Sequence, residues 1–208
     1  MEKMTIKEFK TECNIEIIEL LMKFNNGYIT SKQLSEFGIH RMYLKIMKDK
    51  GFVEKVGNGI YIAPNKIEDI YYIFSLSMPN TIFSHMTALY FHGLSIKAPN
   101  NRYDITVRKK YNSTHLKKHE VFYVSDDIYE IGLTEVETPI GNKVRAYDLE
   151  RCICDIIRSK NRMDLEHVKY SIREYIKRKD KDLTKLSIYA EKLGIKDDVM
   201  NYMEVFYE

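Results

Sequence analysis

Residues 28 to 64, YITSKQLSEFGIHRMYLKIMKDKGFVEKVGNGIYIAP, decide how the first part of this chain is read. Thr30-Ser31 is a favourable N-cap pair, so a short helix opens there with Leu34 and Phe37 on one face. Gly38 ends it, because glycine tolerates the left-handed C-terminal position best. A second helix is expected from about His40 to Lys50, stopped by Gly51. Phe52 to Val56 and Ile60 to Ile62 are β-prone runs around Gly57-Asn58-Gly59, a triplet suited to a hairpin turn. Helix, tight turn, helix and hairpin together predict a winged helix-turn-helix, which lays its second helix in the major groove and its wing along the backbone.

The charges agree with that layout. Arg41, Lys45 and Lys48 recur at i, i+4 and i+7 and share one face of the second helix, with Leu44 and Met47 turned toward a core. Between Thr30 and Lys66 the basic side chains Lys32, Arg41, Lys45, Lys48, Lys50, Lys55 and Lys66 outnumber Glu36, Asp49 and Glu54. Phosphate neutralisation supplies most of the non-specific affinity for DNA, so a locally basic module is its expected footprint. The expected DNA contacts are Arg41, Lys45 and Lys48, flanked by Lys32, Lys55 and Asn58. His40 stands where a Ser, Thr or Asp usually caps a recognition helix, so the helix start can shift by a residue.

Outward from this segment, Phe9 to Phe24 is spaced as one or two helices packing beneath the motif, closed by Asn25-Asn26-Gly27. Pro64-Asn65 places a boundary near residue 65, giving a DNA-binding domain over 1–65 and a second domain over 66–208. That second domain begins with apolar helices at about 67–76 and 84–94, the latter capped by Ser84. Strand-like runs follow at 103–107, 121–124, 132–138 and 143–147, then a helix from Leu149 to Arg158 with Leu149, Ile153, Ile156 and Ile157 as its core stripe. Helices at about 165–178, 183–193 and 196–206 complete it. The fold class is therefore α+β: an N-terminal winged helix-turn-helix, then a mixed domain with a small sheet and flanking helices.

Composition narrows function without naming it. The 208 residues carry a formal net charge of +3 and 44% hydrophobic residues, which permits a nucleic-acid partner and a real core. No apolar run suggests secretion or membrane spanning, so a cytoplasmic protein is expected. Cys13, Cys152 and Cys154 lack metal or disulfide spacing and read as reduced, mostly buried thiols.

Arg108, Lys109, Lys110, Lys117 and Lys118 lie between two expected strands with no acid among them and with Tyr111 and His115 interleaved. That run is either a second nucleic-acid contact or a solvated hairpin loop. His85 with His92, and His115 with His119, lack further ligands at zinc spacing and read as packing or capping pairs. Asp104, Glu120, Glu135 and Glu137 form no nuclease-like constellation, and phosphate-loop, dinucleotide and nucleophile motifs are absent. No enzyme activity, cofactor or metal is expected.

Three stretches together carry a family resemblance: the opening segment with its GI…YL…G…EKVGNGIY progression, SHMTALYFHGLS, and TPIGNKVRAYDLERCICDII. Across nearly the whole chain the sequence resembles the AbiEi antitoxins of type IV abortive-infection toxin–antitoxin systems, which act in phage defence. That resemblance implies an autoregulatory repressor whose N-terminal domain binds inverted repeats in its own promoter. It implies a C-terminal domain that relieves a nucleotidyltransferase toxin without a stable complex. With no coiled-coil seam, a monomer that fills two half-sites cooperatively is expected. The alternatives are a winged-helix regulator with a ligand-sensing or dimerisation domain, and a metal-dependent DNA-processing enzyme.

Overall fold

The computed structural model describes residues 6–207, with side chains from 11 to 205, and divides into two units, 1–79 and 80–208. In the first unit α1 (Ile6–Phe24) is one helix, ended where Asn26 and Gly27 adopt positive φ. A strand that the sequence reading lacked follows, β1 (Tyr28–Thr30). Thr30 then caps α2 (Ser31–Glu36): its Oγ1 accepts from the Gln33 N–H at 3.1 Å, and its own N–H donates to Gln33 Oε1 at 2.9 Å. Such a reciprocal capping box satisfies two end donors and is worth on the order of 1 kcal/mol. Because α2 stops at Glu36, Phe37 leaves the helical path and is exposed, while Ile39 takes the core place expected for it.

The next helix, α3 (Met42–Asp49), begins two residues later than expected. His40 serves its start after all: the Met42 N–H donates to His40 Nδ1 at 3.2 Å. The hairpin pairs β2 (Glu54–Gly57) with β3 (Ile60–Ile62), and β3 also pairs with β1, giving the order β1-β3-β2 with all neighbours antiparallel. Gly59 makes the turn at φ +69, and its carbonyl accepts from the Ser31 N–H at 2.8 Å, tying the hairpin to the start of α2.

Strand alternation gives this small sheet two apolar faces. One carries Ile29 into a core with Ile18, Met22, Leu34, Leu44, Met47 and Val53. The other presents Tyr28, Ile60 and Ile62, which are covered by Tyr72, Ile73 and Leu76 of α4 (Ile70–Ser77). The ring of Tyr72 meets Tyr28 edge-on at 5.0 Å, and the Tyr28 hydroxyl accepts from the Asp69 N–H at 2.8 Å. The expected boundary at residue 65 is thus corrected to Pro79. Pro64-Asn65 is a turn inside the first unit, since without α4 an apolar sheet face would be bare.

The second unit is built on a five-stranded mixed sheet. Its strands are β4 (Ile82–Phe83), β5 (Asp104–Arg108), β6 (Glu120–Val124), β7 (Leu133–Glu137) and β8 (Lys143–Tyr147), in the order β6-β5-β4-β8-β7. The two-residue β4 is central, antiparallel to β5 and parallel to β8. Between β4 and β5 lies α5 (His85–Phe91), and between β6 and β7 lies α6 (Asp126–Tyr129). The Ser84 side chain makes no cap bond to α5, contrary to expectation, because its hydroxyl is engaged with His85 and Thr106.

The helix α7 (Leu149–Arg158) is contacted by α5 and by the three C-terminal helices, α8 (Leu165–Lys177), α9 (Leu183–Lys192) and α10 (Lys196–Tyr207). Rather than a single core stripe, every residue of α7 from Leu149 to Ile157 is buried, Glu150, Arg151 and Asp155 included. Arg151 is fully enclosed. Its Nε donates to Asp155 Oδ1 at 3.0 Å, its Nη1 donates to the Ile128 and Ile131 carbonyls, and its guanidinium lies 4.1 Å from the Tyr147 ring centre. Gly132, at φ +74, is required beside it: a Cβ there would come within 2.5 Å of Arg151 Cβ. Cys152 and Cys154 are buried free thiols; burial pushes Cys152 well up and Cys154 up to about 12, so neither is a ready thiolate. Among the described residues no helix is long and apolar enough to cross a membrane.

Candidate nucleic-acid interface

In the first unit, Leu44 and Met47 turn α3 inward and leave Lys45 and Lys48 exposed. Arg41 falls at the N-cap rather than in the first turn, but its backbone is already near-helical (φ −52, ψ −16), so it still leads Lys45 and Lys48 along their face. Lys32 is exposed on α2, Lys55 on β2, and Asn58 at the tip of the β2–β3 turn. Among the described residues Lys32, Arg41, Lys45, Lys48 and Lys55 make no ion pair, although Glu36, Asp49 and Glu54 are near in sequence. Fully solvated cations of this kind are available to a polyanion at little desolvation cost.

The basic run of the second unit differs from the expected hairpin loop. Strands β5 and β6 are parallel, with Asp104 opposite Glu120 and Arg108 opposite Val124. The chain between them therefore crosses back through a 3-10 turn, Thr114–Lys118, pinned by the buried side chain of Leu116. His119 fixes its far end, stacking on Tyr103 at 5.2 Å and accepting the Tyr103 N–H at Nδ1. Arg108 belongs to β5 and is spoken for: it pairs with Asp126 at 2.8 Å and Glu130 at 2.5 Å and lies 4.2 Å over the Tyr129 ring. Lys109, Lys110, Lys117 and Lys118 are exposed and make no ion pair among the described residues.

A pocket of about 350 Å³ in the second unit joins residues that the sequence reading had kept apart, among them His85, Phe122, Asp155, Arg158, Ser159 and Arg162. Phe122 lies parallel to the His85 ring at 3.4 Å, and the Arg162 guanidinium lies 4.3 Å over it. His85 is buried at φ +47, a left-handed conformation that costs a non-glycine residue of order 1–3 kcal/mol and is often found where a site demands it. Thr106 donates to Ser84 Oγ at 2.9 Å, leaving the Ser84 proton for His85 Nδ1 at 2.9 Å. In the tautomer that satisfies this chain, His85 Nε2 donates to Ser159 Oγ at 3.2 Å.

Burial, reinforced by the positive charges of Arg151, Arg162 and Arg158, holds His85 well below its ordinary value and neutral. Burial raises the Asp155 carboxyl, with Arg151 opposing. His92, expected to pair with His85, instead meets the Tyr147 carbonyl at 2.9 Å. The positions 85, 122 and 155–162 carry no common spacing; the run of Arg158, Lys160 and Arg162 was the one local signal. Among the described residues no cluster of three or more His, Cys, Asp or Glu side chains is arranged to hold a metal ion.

No family model matches this sequence, and no curated protein is similar to it. Among solved structures, the chain is similar in fold to the Rv2827c protein of Mycobacterium tuberculosis, with a TM-score of 0.53 at 12% identity, over 84% of this chain and 70% of that one.

Proposed function

We propose that this chain is a cytoplasmic DNA-binding antitoxin of the AbiEi kind, a non-enzymatic repressor of its own operon. In this reading the first unit is a winged helix that binds inverted repeats in double-stranded promoter DNA, as a monomer in solution that fills two half-sites cooperatively. Arg41, Lys45 and Lys48 enter or border the major groove, and Lys32, Lys55 and Asn58 hold the flanking backbone. The second unit relieves a nucleotidyltransferase toxin without a stable complex. One observation carries the DNA reading: the cations of α3 and its hairpin stand exposed and without ion pairs, on a helix whose other face is fixed by Leu44 and Met47. The order helix, strand, helix, helix, hairpin, with the first strand joined to the hairpin, supports it.

The test separates the two roles. Arg41, Lys45 and Lys48 replaced together by alanine should abolish repression of a promoter–reporter fusion. Rescue from the toxin encoded beside it should persist, because these side chains support no part of the fold. Normal repression by the folded triple variant would overturn the DNA reading, and lost rescue at normal protein level would overturn the division of labour. A second reading, a winged-helix regulator whose second unit senses a ligand, is favoured by the pocket at His85. Rescue of toxicity by the wild-type chain distinguishes the two.

A further inference from the structure

The pocket at His85 has the chemistry of a ligand site that the repressor and antitoxin roles do not use. Its walls offer donors that the protein leaves unspent. Among the described residues the exposed Arg158 side chain makes neither an ion pair nor a hydrogen bond, and the Asn161 side chain makes no hydrogen bond. Arg162 spends only Nη2, on Glu120 and the Val121 carbonyl, leaving Nε and Nη1. Ser159, as acceptor from His85, has its own proton to give. One acceptor lies in the same wall. Asp155 is 3% exposed and lines the pocket; its Oδ1 is held by Arg151 Nε, while its Oδ2, like Arg151 Nη2, is buried without a hydrogen-bond partner.

An orphaned buried carboxylate oxygen costs on the order of 1–3 kcal/mol and asks for a donor from outside the protein. A bare phosphate would satisfy the arginines but would fill little of a 350 Å³ cavity. A ligand with a phosphate at one end and a hydroxyl or amino donor several bonds away satisfies both the arginines and Asp155. The stack of Arg162, Phe122 and His85 sets the wall in place beforehand, which lowers the ordering cost of binding.

We propose that this pocket binds a nucleoside phosphate, its phosphate on Arg158 and Arg162 with Asn161 and Ser159, and a sugar hydroxyl or base amine on Asp155. The same chemistry is presented by a free mononucleotide and by the 5′-phosphorylated end of an RNA strand. The site does not depend on the DNA-binding role of the first unit.

The experiment uses the full chain, titrated by calorimetry and thermal shift with the four nucleoside 5′-monophosphates, adenosine, inorganic phosphate, and a short oligoribonucleotide with and without its 5′-phosphate. At least one monophosphate should bind and raise the melting temperature, adenosine should not, and inorganic phosphate should bind at least tenfold more weakly. Arg158→Ala should weaken the nucleotide tenfold or more, with Arg158→Lys recovering part of it. Neither change should alter the melting temperature of the free protein or its binding to duplex DNA. Tighter binding of the 5′-phosphorylated strand than of the mononucleotide assigns the site to strand ends, and equal or weaker binding assigns it to free nucleotides. No binding by any monophosphate or phosphorylated strand, undiminished binding by Arg158→Ala, or inorganic phosphate matching the nucleotides would overturn the proposal.

Discussion

The two units of this protein treat positive charge in opposite ways. The second unit carries a dense set of ion pairs, running from Arg102 to Asp198. There Arg151 is fully enclosed against Asp155, Arg108 is shared by Asp126 and Glu130, and Lys185 by Asp148 and Glu150. In the first unit Lys32, Arg41, Lys45, Lys48 and Lys55 make no ion pair among the described residues. Paired charge in the second unit is used inside the fold, within helices as at Arg151 and between elements as at Arg108 and Lys185, whereas unpaired charge in the first joins nothing inside it. Charge that the fold does not use is what a polyanion can use.

Alanine or neutral substitutions should therefore split cleanly between the units. The largest effect is expected at Arg151. Arg151→Met leaves Asp155 buried and uncompensated and removes the ties to Ile128 and Ile131, so the second unit should lose about 3–5 kcal/mol in denaturant titration. Arg151→Met combined with Asp155→Leu should recover much of that loss. If the single variant unfolds at the wild-type midpoint, the buried pair is not what organises α7.

In the first unit the contrast predicts the reverse, a loss of binding without a loss of stability. Lys45→Ala should leave the melting temperature unchanged and weaken promoter binding. The loss should be about 1–3 kcal/mol, confined to the cognate sequence, if Lys45 reads a base. It should be uniform across sequences, with the salt slope smaller by about 0.9, if Lys45 contacts a phosphate. Anisotropy titrations at several salt concentrations tell these apart, and unchanged binding to every duplex would remove Lys45 from the interface.

The crossing between β5 and β6 sharpens the comparison, because it is a place where the second unit behaves like the first. Arg108 is paired there, while Lys109, Lys110, Lys117 and Lys118 are not. Replacing those four lysines with glutamine should flatten the salt dependence of nucleic-acid binding by about 0.9 per lost phosphate contact. Circular dichroism should be unaltered, since Leu116 holds the crossing. An unchanged slope with full toxin rescue would leave these lysines as solvated charge.

The smallest effect concerns a carboxyl that the second unit buries without full compensation. Burial raises Asp104 to about 6, with the Met86 N–H and the Arg102 and Arg162 charges opposing and Glu120 reinforcing. Because its folded value lies above its unfolded one, the native state holds the extra proton between about pH 4 and 6. That contribution to stability is present in acid and lost as pH rises through 6. His85 acts in the opposite sense, its depressed value costing stability as pH falls below 6.5, so wild-type stability alone will not isolate Asp104. Asp104→Asn should do so: its stability relative to wild type should be about 1 kcal/mol better at pH 7 than at pH 5. A difference independent of pH would mean that Asp104 keeps an ordinary carboxyl in the fold.

The sequence by itself determined the elements that depend on neighbours along the chain. Thr30 with Gln33 starts α2, and Asp148, Asp164 and Asp182 each cap a helix through a backbone N–H two or three residues on. The basic face of α3 and the turn at Gly59 were equally local, resting on helical period and on a positive φ. Tertiary structure decided everything that depends on distant partners. The two residues of β4 are a strand only because β5 and β8 flank them, and α4 joins the first unit only because an apolar sheet face awaits it. Nothing in the run from Arg108 to His119 distinguishes a hairpin from a parallel crossing. Arg151 looks like an exposed helix charge until Ile128, Ile131, Gly132 and Tyr147 enclose it. The pocket is the extreme case, since His85, Phe122 and the stretch from Asp155 to Arg162 come from three separate segments. Their meeting depends on long-range pairing, which no periodicity along the chain encodes.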